Sequence, residues 1–236
     1  MEIVLDKNYK RFIYRGHSQG HYRLETSIRR AFQILKIREA WRSGREREMI
    51  ESFRSRAHLY LSHLPSARDD LEWLSVMQHY GAPTRLLDWT YSPFVAAFFA
   101  FQQMSRECVV YEINLPELHN ANASQLTGDW REGILDKVRN FVVPFLPNYQ
   151  NERLILQQGL FLVPGNIQSS AEDIVEAYSD TDRFIVKYVF DLSPHSIQEA
   201  IKKLKAMTID DFRLFPGIDG LSRSMYLQLL EAKRQF

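Results

Sequence analysis

Residues 78–101, QHYGAPTRLLDWTYSPFVAAFFAF, decide the fold more than any other stretch of this sequence. The short apolar segment at Thr84–Asp88 predicts a turn or a brief strand. Ser92 then supplies a hydroxyl N-cap, and Pro93 occupies the first position of a helix. Since that helix is apolar on all sides through residues 94–104, we expect it to be buried in the core.

Further strands and helices are predicted on both sides of this stretch. Short strands are expected at residues 11–15, 84–90, 108–114, 154–163 and 183–191. Helices are expected at residues 26–40, 45–64, 69–80 and 93–104. Because the two kinds of element do not alternate regularly, the predicted fold class is α+β with a mixed sheet. A largely helical, arginine-rich segment at residues 23–80 would pack against that sheet, and its helices would pack together with the helix at 93–104.

The composition indicates one globular domain spanning residues 1–236. The chain has 236 residues, of which 45% are apolar, so a sizeable core can be buried without disulfides or metals. A net charge of +1 argues against a protein coated by nucleic acid. The single cysteine, Cys108, excludes an internal disulfide framework and a multi-cysteine zinc site. The seven histidines lack metal-ligand spacing, so we predict no metal cofactor.

Membrane association is not expected. No apolar run approaches the ~20 residues that cross a bilayer. The first ten residues, MEIVLDKNYK, lack the apolar region of a signal peptide. We therefore predict a soluble, cytoplasmic protein.

The first candidate site lies at the end of the first predicted strand, in Tyr14-Arg15-Gly16-His17. An arginine fork can clamp a phosphate with two parallel hydrogen bonds. Gly16 allows a sharp turn or a close approach of the backbone to a ligand. The simpler alternative for Arg15 is an ion pair at the strand end.

Two more segments carry unusual polar side chains. Residues 78–90 place groups that hydrogen-bond or ionise around a short apolar segment: His79, Tyr80, Arg85, Asp88 and Thr90. An ion pair between Arg85 and Asp88 that only fixes the loop is the simpler alternative, and a metal-independent nuclease using His79, Arg85 and Asp88 is another. Gln157 and Gln158 lie between apolar runs, where they either satisfy strand-edge backbone groups or line a pocket.

An arginine-rich region follows the first candidate site. Its candidate nucleic-acid-binding residues are Arg45, Arg47, Arg54 and Arg56. These side chains form either a solvated helix face with local ion pairs or a track that follows phosphates without reading bases. The second interpretation predicts a non-catalytic nucleotide- or nucleic-acid-binding module, which is the alternative to an enzyme.

Four motifs occur together in an order that is similar to the FRG domain family. They are YRG at residues 14–16, QHYGAPTRLLDWTYSPFVAAFFA at 78–100, RLILQQGLF at 153–161 and FPGIDGLSR at 215–223. Each is weak alone, but their combination is specific and extends from about residue 12 to residue 223. The resemblance implies an identity at the level of the fold more than an activity.

A more distant resemblance, to ADP-ribosyltransferases of the Arg-Ser-Glu type, implies a mechanism. In that family a strand ends in a YRG-like sequence, a Ser/Thr strand leads into a helix with an A-x-x-F-A pattern, and a third strand carries a glutamate. Arg15 would hold the phosphates and ribose of NAD, and Thr90 would buttress the site. Alignment on Gly159 does not place a glutamate at the third position, so Glu152, Gln157 and Asp88 are the candidates for the group that stabilises the ribosyl cation.

The resemblance therefore implies an ADP-ribosyltransferase-like core and an NAD-dependent transferase. Its catalytic residues would be drawn from Arg15, Asp88, Thr90, Glu152 and Gln157. NAD-binding residues would be Arg15, Gly16, His17, His79, Tyr80, Arg85 and Thr90. The implied partners are NAD, a nucleic-acid or protein acceptor and an antitoxin, as expected of a bacterial toxin or a phage-defence effector.

Overall fold

Six strands form one antiparallel sheet with the spatial order β4-β5-β2-β1-β3-β6. The computed structural model describes residues 10–123, 126, 129–136, 138–178 and 184–232. The strands are β1 (Phe12–His17), β2 (Leu87–Thr90), β3 (Glu107–Asn114), β4 (Val142–Phe145), β5 (Gly159–Pro164) and β6 (Ile185–Asp191). Every pairing in the described part of the sheet is antiparallel. The prediction of a mixed sheet was wrong, because the helices between strands return the chain to antiparallel neighbours instead of forming βαβ crossovers.

The helices surround this sheet. They are α1 (Ser27–Ile34), α2 (Glu39–Ala57), α3 (Asp70–His79), α4 (Pro93–Phe101), α5 (Leu115–Asn122), α6 (Glu152–Leu156), α7 (Ala171–Glu176), α8 (Pro194–Ala206), α9 (Asp211–Leu214) and α10 (Ile218–Ala232). None of the helices in the described ranges is long and apolar enough to cross a membrane.

Two element predictions need correction. The predicted helix at residues 26–40 is broken after α1, where Lys36 adopts a φ of 54°, so the next helix begins at Glu39, before the predicted residue 45. The predicted strand at residues 154–156 is instead part of α6. Its first turn is capped by Asn151, whose side-chain oxygen accepts from the Leu154 N–H at 2.8 Å. Position 183, the predicted start of the last strand, lies outside the described residues.

The α4 helix forms as the local signals predict. The Ser92 hydroxyl accepts from the Val95 N–H at 3.3 Å, and Pro93 opens the helix. The helix lies against β1, β2 and β3, with Ala96 and Ala100 fully buried. Phe94 is 52% exposed, so the helix is not covered on every side.

The two faces of the sheet bury separate clusters. On one face, residues from five strands, β1 to β5, pack against α5 and α7. On the other face, α2 and α3 cover β4 and β5 through Trp73 and Phe161, while α4 and α8 cover β3 through Phe98 and Val110. The N-terminal helical segment therefore packs against the sheet as predicted, but α4 belongs to a different cluster from α2 and α3.

Candidate functional site

A concave site opens where β1 and β2 separate. The ladder between these strands consists of one residue pair, Tyr14 with Thr90, whereas β1 pairs with β3 from Phe12 to His17. A cavity of about 230 Å³ lies beside the single pair. We call this cavity the cleft. Its lining includes six of the predicted site residues, Arg15, Gly16, His17, Asp88, Thr90 and Gln157, together with Arg153.

Arg15 bridges the two sides of the cleft. Its Nη1 donates to the main-chain oxygen of Asp88 on β2, and its Nε donates to Nε2 of His17 at 2.8 Å. Burial lowers the pKa of Arg15, and the carboxyl of Asp88 opposes that shift. The remaining N–H groups on Nη1 and Nη2 have no acceptor among the described residues. They are therefore available to an anion in the cleft.

His17 positions Arg15 and has no ring nitrogen left for a ligand. Burial, followed by the charge of Arg15, lowers the pKa of His17 to about 3, so the ring is neutral at physiological pH. Since Nε2 accepts from Arg15, the proton lies on Nδ1, which donates to the main-chain oxygen of Tyr22 at 3.1 Å. In this arrangement His17 holds the arginine, whereas the sequence predicted a direct contact between His17 and a cofactor.

Gly16 is required by helix packing. A Cβ atom built at this position would lie 1.9 Å from the main-chain oxygen of Ala96 in α4. From the sequence, Gly16 was predicted to allow a sharp turn or a close approach to a ligand. The close approach exists, but the neighbour of Gly16 is the backbone of α4.

Thr90 ties the end of β2 to the end of α6. Its hydroxyl donates to the main-chain oxygen of Gln157 at 2.7 Å and accepts from the Ser92 N–H at 3.0 Å. The Gln157 side chain donates from Nε2 to the main-chain oxygen of Leu214 at 3.0 Å. Both residues are buried, and together they fix the floor of the cleft between β2 and β5.

Asp88 is the only acidic residue in the described lining of the cleft. Its side chain is exposed, and Oδ2 accepts from Nε2 of Gln78 at 3.0 Å. Asp88, Arg153 and Gln157 also line an adjoining hollow of about 60 Å³, which contains His79. Burial and then the charge of Arg153 lower the pKa of His79, and its Nδ1 is buried without a partner among the described residues.

Three predicted site residues line neither the cleft nor the adjoining hollow. Glu152 is exposed in the first turn of α6, and Tyr80 is 61% exposed after α3. Arg85 is fully buried, and it forms a bidentate pair with Glu46 of α2. Its Nη1 also donates to the main-chain oxygen of Ile134 at 2.8 Å. The suggested pairing of Arg85 with Asp88 was therefore wrong, and with Arg85 buried, the nuclease constellation of His79, Arg85 and Asp88 is not assembled.

The four candidate nucleic-acid-binding arginines of α2 have partners within the chain. Arg45 pairs with Glu48 at 2.6 Å, and Arg47 pairs with Asp136. Arg54 donates to the main-chain oxygen of Ala67 at 2.6 Å, and Arg56 donates to that of Ser52 at 3.0 Å. The contacts of Arg45 and Arg56 lie within α2, as expected of a solvated helix face with local pairs, whereas Arg47 and Arg54 bond to residues outside the helix.

Arg153 is a cleft residue that the sequence analysis did not select. It lies inside the quoted motif RLILQQGLF, directly before the strand predicted to begin at residue 154. In the helix α6, Arg153 precedes Gln157 by four residues, so the two side chains lie on the same helix face and reach the same cavity. The signal that could have identified Arg153 from the sequence was its position in this motif.

The fold and the cleft thus define an α+β protein whose site lies between two central strands of an antiparallel sheet. The family model of the FRG domain matches residues 10–108. The match covers the part of the chain that contains β1, β2 and α4, and it confirms the resemblance to the FRG domain family there. The later segments at 153–161 and 215–223 lie beyond the match. No curated protein and no solved structure matches the chain.

Proposed function

We propose that this chain is an ADP-ribosyltransferase that binds NAD in the cleft and transfers ADP-ribose to an acceptor. The proposal rests on one observation: Arg15, Thr90 and Gln157 line a single cavity. They lie on β1, at the end of β2 and directly before β5, and these three strands are neighbours in the sheet. The same order of arginine, hydroxyl residue and third strand carries the resemblance to the Arg-Ser-Glu transferases.

The free donors of Arg15 suit a phosphate of the dinucleotide. A guanidinium presents parallel N–H groups that match phosphate oxygens, and this one is oriented by Asp88 and His17 before any ligand binds. The cleft, at about 230 Å³, is smaller than the roughly 300–1,000 Å³ of typical ligand pockets. A dinucleotide would therefore be only partly enclosed and would extend beyond the cavity.

Asp88 is the residue we assign to charge stabilisation. In this reaction the bond between C1′ of the ribose and the nicotinamide nitrogen breaks, and its electron pair leaves with nicotinamide. Positive charge develops on the ribosyl group until an acceptor nucleophile bonds to C1′ and gives up its proton. A carboxylate near C1′ stabilises that charge. Asp88 lines the cleft, whereas Glu152 lies outside it and Gln157 has no charge.

The experiment is NAD turnover by the purified chain. Nicotinamide release and the transfer of label from adenine-labelled NAD are measured with protein, DNA and RNA acceptors. Asp88→Asn should lower nicotinamide release at least about 100-fold, the loss expected when one charge-stabilising group is removed. Glu152→Gln is the matched control and should leave turnover unchanged.

Two results would contradict the proposal in different ways. No consumption of millimolar NAD with any of the three acceptors would remove the transferase assignment. Loss of turnover in Glu152→Gln, with normal turnover in Asp88→Asn, would show that Glu152, and not Asp88, supplies the catalytic charge.

A further inference from the structure

Two arginines share one phenylalanine ring next to the cleft. The Cζ atom of Arg153 lies 4.8 Å from the ring centroid of Phe215, and the Cζ atom of Arg223 lies 4.1 Å from the same centroid. Phe215 is buried at the end of α9 and so provides a fixed surface for both side chains. Arg153 belongs to α6 and Arg223 to α10, so elements distant in sequence build this arrangement.

The arrangement brings two positive charges together without an acceptor. Burial lowers the pKa of Arg153, and the charge of Arg223 lowers it further, while Asp88 and Asp219 partly offset these effects. Neither guanidinium forms a hydrogen bond or an ion pair within the described part of the chain. Each has five N–H donors, and stacking on a ring leaves those donors free at the edges of the guanidinium plane.

Arg153 is within reach of an anion that enters the cleft, because it lines the same cavity as Arg15. Arg223 joins it by stacking on the same ring. A dinucleotide held at Arg15 would place its second phosphate in or beside the same cavity, which Arg153 also lines. A diphosphate diester carries two negative charges on adjacent phosphates. One phosphate would bind Arg15, and the other would bind the pair formed by Arg153 and Arg223.

We propose that Arg153 and Arg223, stacked on Phe215, form a phosphate-binding subsite. It takes the second phosphate of a nucleotide diphosphate whose first phosphate is bound by Arg15. This inference rests on the proposed function for the presence of a nucleotide in the cleft. A nucleic-acid backbone is the less favoured ligand, because it would need an extended track of free arginines and those of α2 have partners in the chain.

The test is calorimetric titration of the purified chain with ADP-ribose and with AMP, neither of which requires turnover. Wild type should bind ADP-ribose at least about 10-fold more tightly than AMP, as expected for one additional charge-assisted contact. Arg153→Met and Arg223→Met keep an apolar stem against Phe215 but remove the charge. Each should weaken ADP-ribose binding about 10-fold or more and reduce the preference over AMP.

Arg213→Met is the matched control. Arg213 is an exposed residue of α9 close to Phe215 in sequence, and it does not stack on that ring. This variant should bind ADP-ribose like wild type. Thermal melting of all variants separates lost binding from lost folding, and Arg223, being exposed, should be replaceable without a change in melting temperature.

The outcomes separate this inference from the proposed function. Arginine-dependent binding of ADP-ribose without any consumption of NAD would support the subsite and reject the transferase. Equal affinity of wild type, Arg153→Met and Arg223→Met for ADP-ribose would overturn the subsite whether or not NAD is consumed. Absence of ADP-ribose binding, with arginine-dependent binding of a single-stranded oligonucleotide, would overturn it in favour of nucleic acid.

Discussion

The guanidinium of Arg15 crosses from β1 to β2 and donates to the main-chain oxygen of Asp88. The main-chain ladder between these strands consists of one residue pair, so this side chain supplies a connection where the backbone does not. The same side chain keeps donors that point to no partner among the described residues. Arg15 therefore holds the cleft together and also presents charge to whatever enters it.

Replacement of Arg15 by lysine should impair NAD binding and turnover even though the charge remains. A lysine ammonium is a single point of contact and cannot hold His17, the Asp88 carbonyl and a phosphate in the geometry of the planar fork. We expect Arg15→Lys to lower NAD affinity and nicotinamide release by at least about 10-fold. Titration with NAD and assay of released nicotinamide measure both.

The control is Arg106→Lys, which alters an exposed arginine paired with Asp191 at the far edge of the sheet. This variant should match wild type in affinity and in turnover. Wild-type turnover in Arg15→Lys would show that NAD binding does not depend on the planar guanidinium of Arg15.

Gly16→Ala should destabilise the fold, because the new methyl group meets the backbone of α4. The Cβ atom would lie 1.9 Å from the Ala96 oxygen and 2.7 Å from the Ala100 nitrogen, so the helix would have to shift. Overpacking of this kind costs about 1–3 kcal/mol. Urea denaturation gives the free energy of unfolding of the variant and of wild type.

Gly44→Ala is a glycine control of opposite sign. Gly44 lies inside α2 and a Cβ there meets nothing within 4 Å. Since glycine in a helix interior costs roughly 0.5–1 kcal/mol relative to alanine, this variant should be more stable than wild type. Gly16→Ala with wild-type stability would mean that α4 and β1 are not packed as described.

Local signals in the sequence were sufficient for some elements and insufficient for others. The start of α4 was predicted because Ser92 and Pro93 are strong local signals of a helix start. Residues 154–156 were misassigned because a short apolar run fits a strand and a buried helix equally well. Asn151 caps this helix, and that local signal was not used in the prediction. The break at Lys36 involves neither glycine nor proline, so no local signal marked it.

The convergence of Arg15, Thr90 and Gln157 could be expected because each lies in or next to a strand of one sheet. The strands concerned, β1, β2 and β5, are neighbours in that sheet. Arg85 could not be placed in the same way. Its partner Glu46 is 39 positions away in the chain, whereas Asp88, the partner considered from the sequence, is three positions away. A single sequence reports local spacing, and it does not report which distant helix will cover a buried charge.

The Arg85–Glu46 pair yields a stability prediction that should be independent of ligand binding. Both side chains are almost fully buried, so removal of either partner leaves an uncompensated charge in the core. Arg85→Met and Glu46→Gln should each cost about 3–5 kcal/mol of unfolding free energy. Urea denaturation measures the cost.

The double variant Arg85→Met with Glu46→Leu is the control for the pair. It should cost clearly less than the sum of the two single variants, because no charge is left unpaired. Single variants within 1 kcal/mol of wild type would indicate that water reaches the pair. A selective loss of ADP-ribose affinity in folded Arg85→Met would return Arg85 to the binding site.

His17 should make the folded state sensitive to acid. Its pKa is about 3 in the folded protein, against 6.5 for an ordinary histidine, because the ring is buried and lies beside Arg15, with Arg30 and Lys187 adding smaller repulsions. Between pH 6.5 and 3 the unfolded chain binds a proton at this position that the folded chain does not. The free energy of unfolding therefore falls as the pH is lowered through this window, and the group contributes no pH dependence above it.

His17→Gln should reduce that dependence, since glutamine can accept a hydrogen bond from Arg15 but does not titrate. For each pH unit below about 6, wild type should lose up to about 1.4 kcal/mol more than the variant. Urea denaturation at pH 7, 5.5 and 4.5 gives the difference, and His195→Gln, which changes an exposed histidine in α8, should run parallel to wild type. If His17→Gln also ran parallel to wild type over this range, the ring would be protonated in the folded state, and it could not accept the hydrogen bond that orients Arg15.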